Sequence, residues 1–332
     1  MNNESNILSL FLKNIPSYVK KRNDDDSLIE PKIKIKLLCN WCSSRDLSNF
    51  WNKMSKGNYT WNNITLILND DEPDYWVVIN GISKENLIKE NQKNFDIKRT
   101  ILFRMEPNML NNKFWGEWCV PDHKDFFLKI FRHERINEIP GDFNNCEWHV
   151  SLTYNQLSNS VFEKTCSELS TVLSAKYSDI GQVKRINFVK FLESKGMVVH
   201  VYGDNKWNYK NFKGSLPYHC KNNALIPYKY TFNCENHFIT NYFTEKLIDG
   251  ILCECLVFYG GCPNVALYID SKAFVQLSLS NFEKDYRIVE QCIRENLYER
   301  RLPYIKAMKN KILNELQFFP RLEKYFKSIG RI

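Results

Sequence analysis

The chain has 332 residues, a length suited to about two domains of ordinary size. Hydrophobic residues make up 43% and aromatic residues 14%, enough to close one or two cores, so general disorder is excluded. With 12 Gly and 11 Pro, collagen-like and linker-dominated chains are excluded too. The net charge of +8 suits nucleic acid, an anionic membrane surface or a phosphate-bearing small molecule, and equally a basic protein with none of these partners.

Residues 1–30 read as a loosely attached prefix: a short amphipathic helix, then the polar run KKRNDDD. The apolar stretch 7–12 follows Glu4 and is broken by Lys13, too short to span a bilayer and a poor signal peptide, so a cytoplasmic location is expected. The 11 cysteines are odd in number and lack framework spacing, which suggests reduced thiols of an intracellular protein. Cys39 and Cys42 form a CxxC, and Cys253 and Cys255 a CxC. Neither has a partner pair at zinc-ribbon spacing, so structural thiols are expected and no metal. The sequons at Asn58 and Asn63 carry no weight without a secretory signal.

Regular structure is expected from residue 33. Strands are predicted over 33–39, 64–70, 74–81 and 99–107, with a helix over 45–54. Residues 108–160 are irregular, with FWGEW at 114–118, a turn at Gly141-Asp142 and EWHVSLTYN at 147–155; His149 reads as a half-buried strand residue. The α/β rhythm then returns. Strands are predicted over 169–174, 197–203, 228–236, 254–261 and 271–278, and helices over 181–194 and 241–252. A polar excursion covers 204–223, and residues 282–326 are mainly helical. The expected fold class is α/β: two Rossmann-like domains, 31–160 and 161–332, facing each other across a cleft with ligand at the carboxyl ends of both sheets.

No GxGxxG, Walker A, HExxH or GxSxG motif is present, and the six His form no metal-spaced triad. The informative stretch is 228–264, YKYTFNCENHFITNYFTEKLIDGILCECLVFYGGCPN. Its first strand ends in Glu235-Asn236. A helix follows, with Asn241 as a reasonable N-cap and Thr244, Glu245 and Lys246 in its first turns. Helix-start N–H groups and Lys246 attract phosphate, and Glu245 is an acceptor suited to a ribose diol. Gly260-Gly261 permits close backbone approach. This outlines a nucleotide-diphosphate site; a merely solvated helix start is the other reading of the same residues.

The stretch resembles the donor-binding motif of the α-1,3/1,4-fucosyltransferases (glycosyltransferase family 10). That pattern runs YKFxLxFENS, then YxTEKL, then WGxP. Here stand YKYTFNCENH at 228–237, YFTEKL at 242–247 and YGGCP at 259–263, with Cys234, His237 and Tyr259 as departures. Ser174, Gly181 with Arg185, and Val201-Tyr202-Gly203 look like further family elements. So do Trp148 with Tyr154, Arg104-Met105-Glu106-Pro107, and SKAFVQLS at 271–278. The matches cover about 74–290, most densely after 169.

The resemblance implies a GT-B fold and an inverting enzyme that transfers fucose from GDP-fucose to a hydroxyl of an acceptor glycan, in glycan biosynthesis or protein glycosylation. Arg185 and Lys246 would hold the diphosphate, Asn236 would bond phosphate, Glu245 would hold the ribose, and Tyr242 would pack or bond nearby. Glu106 would be the general base from the opposing domain. No cofactor or divalent metal is obligatory in this scheme, and no nucleic-acid partner is expected.

Three rivals stand beside it. The donor could carry another sugar or base. The protein could be a nucleic-acid binder, given +8 and the aromatic–basic run KWNYKNFKG at 206–214. It could be a retired enzyme acting as a partner subunit, against which Arg185, Glu245 and Lys246 argue. The basic run 300–311 suits peripheral membrane contact, or a helix packed on the body through Leu302, Ile305, Ile312 and Leu316.

Overall fold

The strand β1 (Ile33–Leu38) buries every residue except Lys34, and β4 (Tyr75–Ile79) and β5 (Thr100–Arg104) bury all of theirs. Continuous burial is the mark of parallel strands covered on both faces. The computed structural model describes residues 33–69, 71–107, 127–133, 147–217 and 220–332, which belong to one compact unit spanning 31–332. The prefix, the FWGEW motif and the turn at 141–142 lie outside the described residues.

The first sheet has the order β2-β3-β1-β4-β5-β6. Helix α1 (Ser44–Trp51) follows β1, capped by Ser43, whose side chain accepts from the Asp46 amide. Strands β2 (Thr60–Trp61) and β3 (Ile64–Leu66) form an antiparallel hairpin whose turn holds Asn62 at φ +49°. All other pairs are parallel. The short helix α2 (Lys84–Lys89) follows β4, and β6 (Lys129–Arg132) adds the far edge. Neither β2 nor β6 was expected, because two and four residues carry no readable period. Strand β5 stops three residues before Pro107, since the Met105 and Glu106 amides donate to the Asn80 side chain at 2.7 and 3.0 Å.

The stretch 147–153 is irregular rather than a strand, and ends at α3 (Tyr154–Asn159), capped by Thr153 with Gln156. The second sheet then forms. It contains β7 (Cys166–Leu173), β8 (Val199–Gly203), β9 (Phe212–Gly214), β10 (Tyr228–Cys234), β11 (Leu256–Gly260) and β12 (Phe274–Leu277). Their order is β12-β11-β10-β7-β8-β9, all parallel. Counted in chain order from β7 this is the 3-2-1-4-5-6 arrangement, with its switch point between β7 and β10. Helices α4 (Ile180–Ser194), α5 (Asn222–Leu225) and α6 (Glu245–Leu252) connect the strands. Phe188 of α4 meets Phe232 edge-on at 5.1 Å, fixing that helix to the sheet.

Helix α6 starts three residues later than its sequence suggests. Thr244, not Asn241, is its N-cap, with the Thr244 side chain accepting from Lys246. Asn241 sits at φ +65° and braces a loop instead: its side-chain oxygen accepts from Asn264 and Tyr268, both at 2.6 Å.

The C-terminal part comprises α7 (Phe282–Arg294), α8 (Leu297–Lys311), a π-turn at Ile312–Leu316 and α9 (Phe318–Ser328). Ile305, Ile312 and Leu313 are buried, so this basic segment packs on the body. Helix α9 leaves the second sheet and packs on the first. Phe318 meets Trp51 at 4.8 Å and Phe103 at 5.5 Å, and Phe326 meets Tyr75 at 4.8 Å. The Trp61 indole donates to Glu323 at 2.8 Å. The tail expected to belong with 161–332 therefore ends on the other sheet. Among the described residues no helix is long and apolar enough to cross a membrane.

Phe318→Ala is expected to lower the unfolding free energy by about 3–5 kcal/mol, the usual cost of emptying a buried aromatic site. Chemical denaturation checks this; a loss under about 1 kcal/mol would show that α9 contributes little to the first sheet.

Candidate functional site

The site grows from the switch point. Strand β7 runs out at Leu173-Ser174 and β10 at Cys234, followed by Glu235 and Asn236. Helix α4 begins against that end of β10. Asp179 and Gln182 close its first turn as a capping box, and the Gly181 amide donates to the Asn236 carbonyl at 2.9 Å. A Cβ on Gly181 would lie 1.8 Å from the Glu235 carbonyl oxygen, so only glycine permits this approach.

One turn further along α4, Arg185 is 7% exposed. Its guanidinium donates to Asn236 Oδ1 at 3.0 Å, Ser174 Oγ at 3.1 Å and the Cys234 carbonyl at 3.4 Å. All three partners are uncharged, and its buried Nε has none. Burial pulls the Arg185 pKa down, opposed by the more distant Glu235 and Glu245.

Beside it lies a fully buried carboxylate. Glu235 accepts from the Thr244 amide and hydroxyl, both at 2.8 Å, and from the Tyr259 hydroxyl at 3.2 Å. Burial pushes its carboxyl pKa up, against the pull of Lys246. These bonds tie the end of β10 to the N-cap of α6, and so aim the first turn of that helix. Gly261 also packs here: a Cβ on it would meet Glu235 Cγ at 2.6 Å, so the close approach permitted by this glycine serves the inner wall.

Lys246 Nζ lies 3.2 Å from Glu245 Oε1, 3.3 Å from Thr244 Oγ1 and 3.6 Å from Glu235 Oε2. Burial favours its neutral form, but the two carboxylates hold its pKa above the ordinary lysine value. Burial likewise opposes ionisation of Glu245. Lys246, Lys221 and His149 overcome it and hold that carboxyl well below the usual range. Lys221 Nζ is 3.5 Å from Glu245 and 2.8 Å from Asp249. His149 Nδ1 is 3.8 Å from Glu245, and its other ring nitrogen is 3.1 Å from Glu147.

Arg185, Lys246, Glu245, Lys221 and His149 line a cavity of about 440 Å³ at the carboxyl ends of β7 and β10, bounded on the β8 side by Gly203-Asp204. Of the residues predicted for the site, Arg185, Glu245 and Lys246 are in its wall. Asn236 stands behind Arg185, bonded to it. Tyr242 is 4% exposed and packs on the His133 ring at 5.1 Å, outside the cavity lining. Glu106, just past β5, comes from the other sheet and keeps an edge open to solvent while the surrounding groups crowd its carboxyl. Desolvation in the cleft raises its pKa, with Lys246 opposing and Glu245, Glu235 and Glu147 adding to the rise. Its carboxylate also acts on the buried Tyr242 hydroxyl, whose pKa is raised chiefly by burial.

The sequence did not single out Lys221, His149, Glu147 or Asp249 as site residues. Lys221 and Glu245 are 24 positions apart and His149 lies in an irregular stretch, so no local pattern marks them. Glu235 was visible as a polar strand end, and its packing role comes from burial. Among the described residues no group of three or more His, Cys, Asp or Glu is arranged to hold a metal ion.

No family model matches the sequence, and no curated protein matches it. Solved structures do. An α1,3-fucosyltransferase crystal structure is similar at TM-score 0.51 and 17% identity, over 88% of this chain and 93% of that one. An α-glucosyltransferase in complex with UDP and a mismatched 13-mer DNA is similar at TM-score 0.56 and 9% identity, over 90% and 99%. The S. aureus protein TarM, in a complex containing UDP, is similar at TM-score 0.50 and 12% identity, over 76% and 55%. This chain has the GT-B glycosyltransferase fold. Its cavity occupies the crevice that a switch point leaves open in such a sheet.

Gly181→Ala is expected to push α4 off the end of β10. The expected cost is about 1–3 kcal/mol in urea unfolding, the range for overpacking, together with faster hydrogen exchange at the residue 181 amide. Unchanged exchange there would mean that the Asn236 carbonyl contact survives a Cβ.

Proposed function

We propose that this chain is an inverting glycosyltransferase that moves fucose from GDP-fucose to a hydroxyl of an acceptor glycan. The observation that carries the donor half is Arg185: a buried guanidinium, lining a cavity, with only neutral hydrogen-bond partners. A buried charge without a counter-charge is costly, and a diphosphate supplies that counter-charge with bidentate acceptors. The motif resemblance around 228–263 supports GDP-fucose as donor.

Arg185 and Lys246 then hold the diphosphate and stabilise the charge that grows on it as it leaves. Asn236 spends its side-chain oxygen on Arg185, which leaves its amide N–H groups for phosphate. Glu245, kept ionised by its cationic neighbours, accepts from the ribose hydroxyls. Tyr242 acts from beneath, as a packed support beside Glu106. Glu106 is the general base. It takes the proton of the acceptor hydroxyl as that oxygen bonds to the anomeric carbon, while the bond from that carbon to the phosphate oxygen breaks and GDP departs with the electron pair. A single displacement inverts the carbon. Two fixed cations do the electrostatic work, so the step is proposed to need no divalent metal.

Calorimetry with a panel of GDP- and UDP-sugars tests the donor. GDP-fucose is expected to bind selectively. Arg185→Ala is expected to weaken binding roughly 10–150-fold, the equivalent of about 1.5–3 kcal/mol for charged hydrogen bonds, with Lys246→Ala similar. Failure of every nucleotide sugar to bind the folded protein would overturn the proposal; preference for a UDP-sugar would keep the enzyme class and replace the donor.

The raised pKa of Glu106 sets the pH dependence. A base works only when deprotonated, so kcat/KM should rise with pH along an acid limb whose midpoint lies above the ordinary Glu value of about 4.3. Glu106→Gln should lower kcat by about 10²–10⁴ and abolish that limb, while GDP binding stays unchanged. Persistence of the limb in this variant would assign the base to another group.

A further inference from the structure

Strand β1 ends at Leu38 and α1 is capped by Ser43. The four residues between them are Cys39, Asn40, Trp41 and Cys42. The turn sets the two Sγ atoms 3.5 Å apart, and Cys39 Sγ is also 3.5 Å from the Cys42 carbonyl oxygen. Two sulfurs at that distance are in van der Waals contact, about 1.5 Å beyond the length of a disulfide bond. The nine described cysteines are all free thiols. Cys39 is 3% exposed, whereas Cys42 is partly open to solvent and Trp41 beside it is exposed.

The thiol pair is polarised. A hydrogen bond from Cys42 holds the Cys39 thiol below its ordinary pKa despite burial, and the same contact raises Cys42. No third His, Cys, Asp or Glu completes a metal-binding group with them among the described residues. The chemistry of the pair is therefore that of a vicinal dithiol, with one sulfur that a reagent reaches and a second, more acidic sulfur behind it.

We propose that Cys39 and Cys42 are a redox site that closes to an intramolecular disulfide by exchange with a low-molecular-weight disulfide. The Cys39 thiolate takes the Cys42 proton across the 3.5 Å contact as the Cys42 sulfur bonds to one sulfur of the reagent; the reagent S–S bond breaks, and the first reagent sulfur leaves as a thiolate that takes this proton up from Cys39. The Cys39 thiolate then attacks the Cys42 sulfur, and the mixed S–S bond breaks as the second reagent thiol departs. Two protein thiols are oxidised and one disulfide is reduced to two thiols. The turn is not isolated from the proposed base. Asn40 Oδ1 accepts from the Ser83 amide at 2.8 Å and from Asn86 Nδ2 at 3.1 Å. Ser83 lies three residues after Asn80, whose side chain holds the Glu106 amide.

Incubation of the folded full chain with oxidised glutathione, acid quenching and peptide mass mapping test the site. The peptide carrying 39–42 is expected to lose two hydrogens and regain them with dithiothreitol. Cys39→Ser should stop at a stable glutathione adduct on Cys42. Cys42→Ser should leave Cys39 unmodified, because the buried sulfur is not reached from solvent. Two thiols still reduced in excess oxidised glutathione, or a wild-type adduct on Cys42 that never resolves, would overturn the proposal. Neither outcome bears on whether the chain binds a nucleotide sugar.

Discussion

The Gly181 amide donates to the Asn236 carbonyl at 2.9 Å, and no side chain fits between the two backbones there. The rest of the cavity depends on this approach. It seats α4 against the end of β10, and Arg185 follows one turn later beside Ser174 and Asn236. A longer spacing between helix and strand would leave the guanidinium out of reach of both. The constraint is steric and belongs to the backbone, so a residue without a side chain governs the position of the charged one.

Charge is distributed unevenly around the cavity. Lys246 and Lys221 are each paired with carboxylates, and Glu245 lies between them. Arg185 has neutral partners within hydrogen-bond distance. The first group forms a near-balanced network whose members hold one another ionised against burial. The second is a fixed positive centre in a site of low dielectric, where an anion gains most. The same contrast separates Glu245 from Glu106. Glu245 has cations around it and titrates low, while desolvation lifts Glu106 against the pull of Lys246, with the nearby carboxylates adding to the rise. Two carboxylic acids of one chemistry are thereby made unequal, one by its charged partners and the other chiefly by desolvation.

The two sheets are joined by more than one connection. Helix α9 closes on the first sheet through Phe318 and Phe326. The stretch 147–150 is held from both sides. Trp51 donates to Glu147 at 3.1 Å, and Lys53 donates to the Trp148 and Val150 carbonyls. From the other side, Asp249 of α6 accepts the His149 amide at 2.8 Å. His149 thus reaches Glu245 because Lys53, just after α1, and Asp249 of α6 fix the backbone around it. Burial lowers the Lys53 pKa to about 8, which marks how far this junction is removed from water.

Much of the fold was legible in the chain. Strands such as 75–79 and 256–260 are continuous apolar runs between turn residues, and their period and length suffice. Glu245 and Lys246 stood out because they lie in the first turn of a helix after a strand end, whereas Arg185 stood out only through the motif resemblance; the fold brings all three to one cavity wall. The start of α6 was misplaced because Asn241 and Thr244 are both good caps, and only the Asn264 and Tyr268 contacts decide between them. By itself the sequence determined the α/β class, the positions of the main strands and the strand-to-helix motif at 228–247, since these rest on interactions between near neighbours. The tertiary structure alone decided the pairing of Lys221 and His149 with Glu245, the burial of Glu235 and Tyr242, and the return of α9 to the first sheet. Those contacts join residues far apart in the chain, and they form only when burial makes an unpaired charge or an exposed ring too costly to leave.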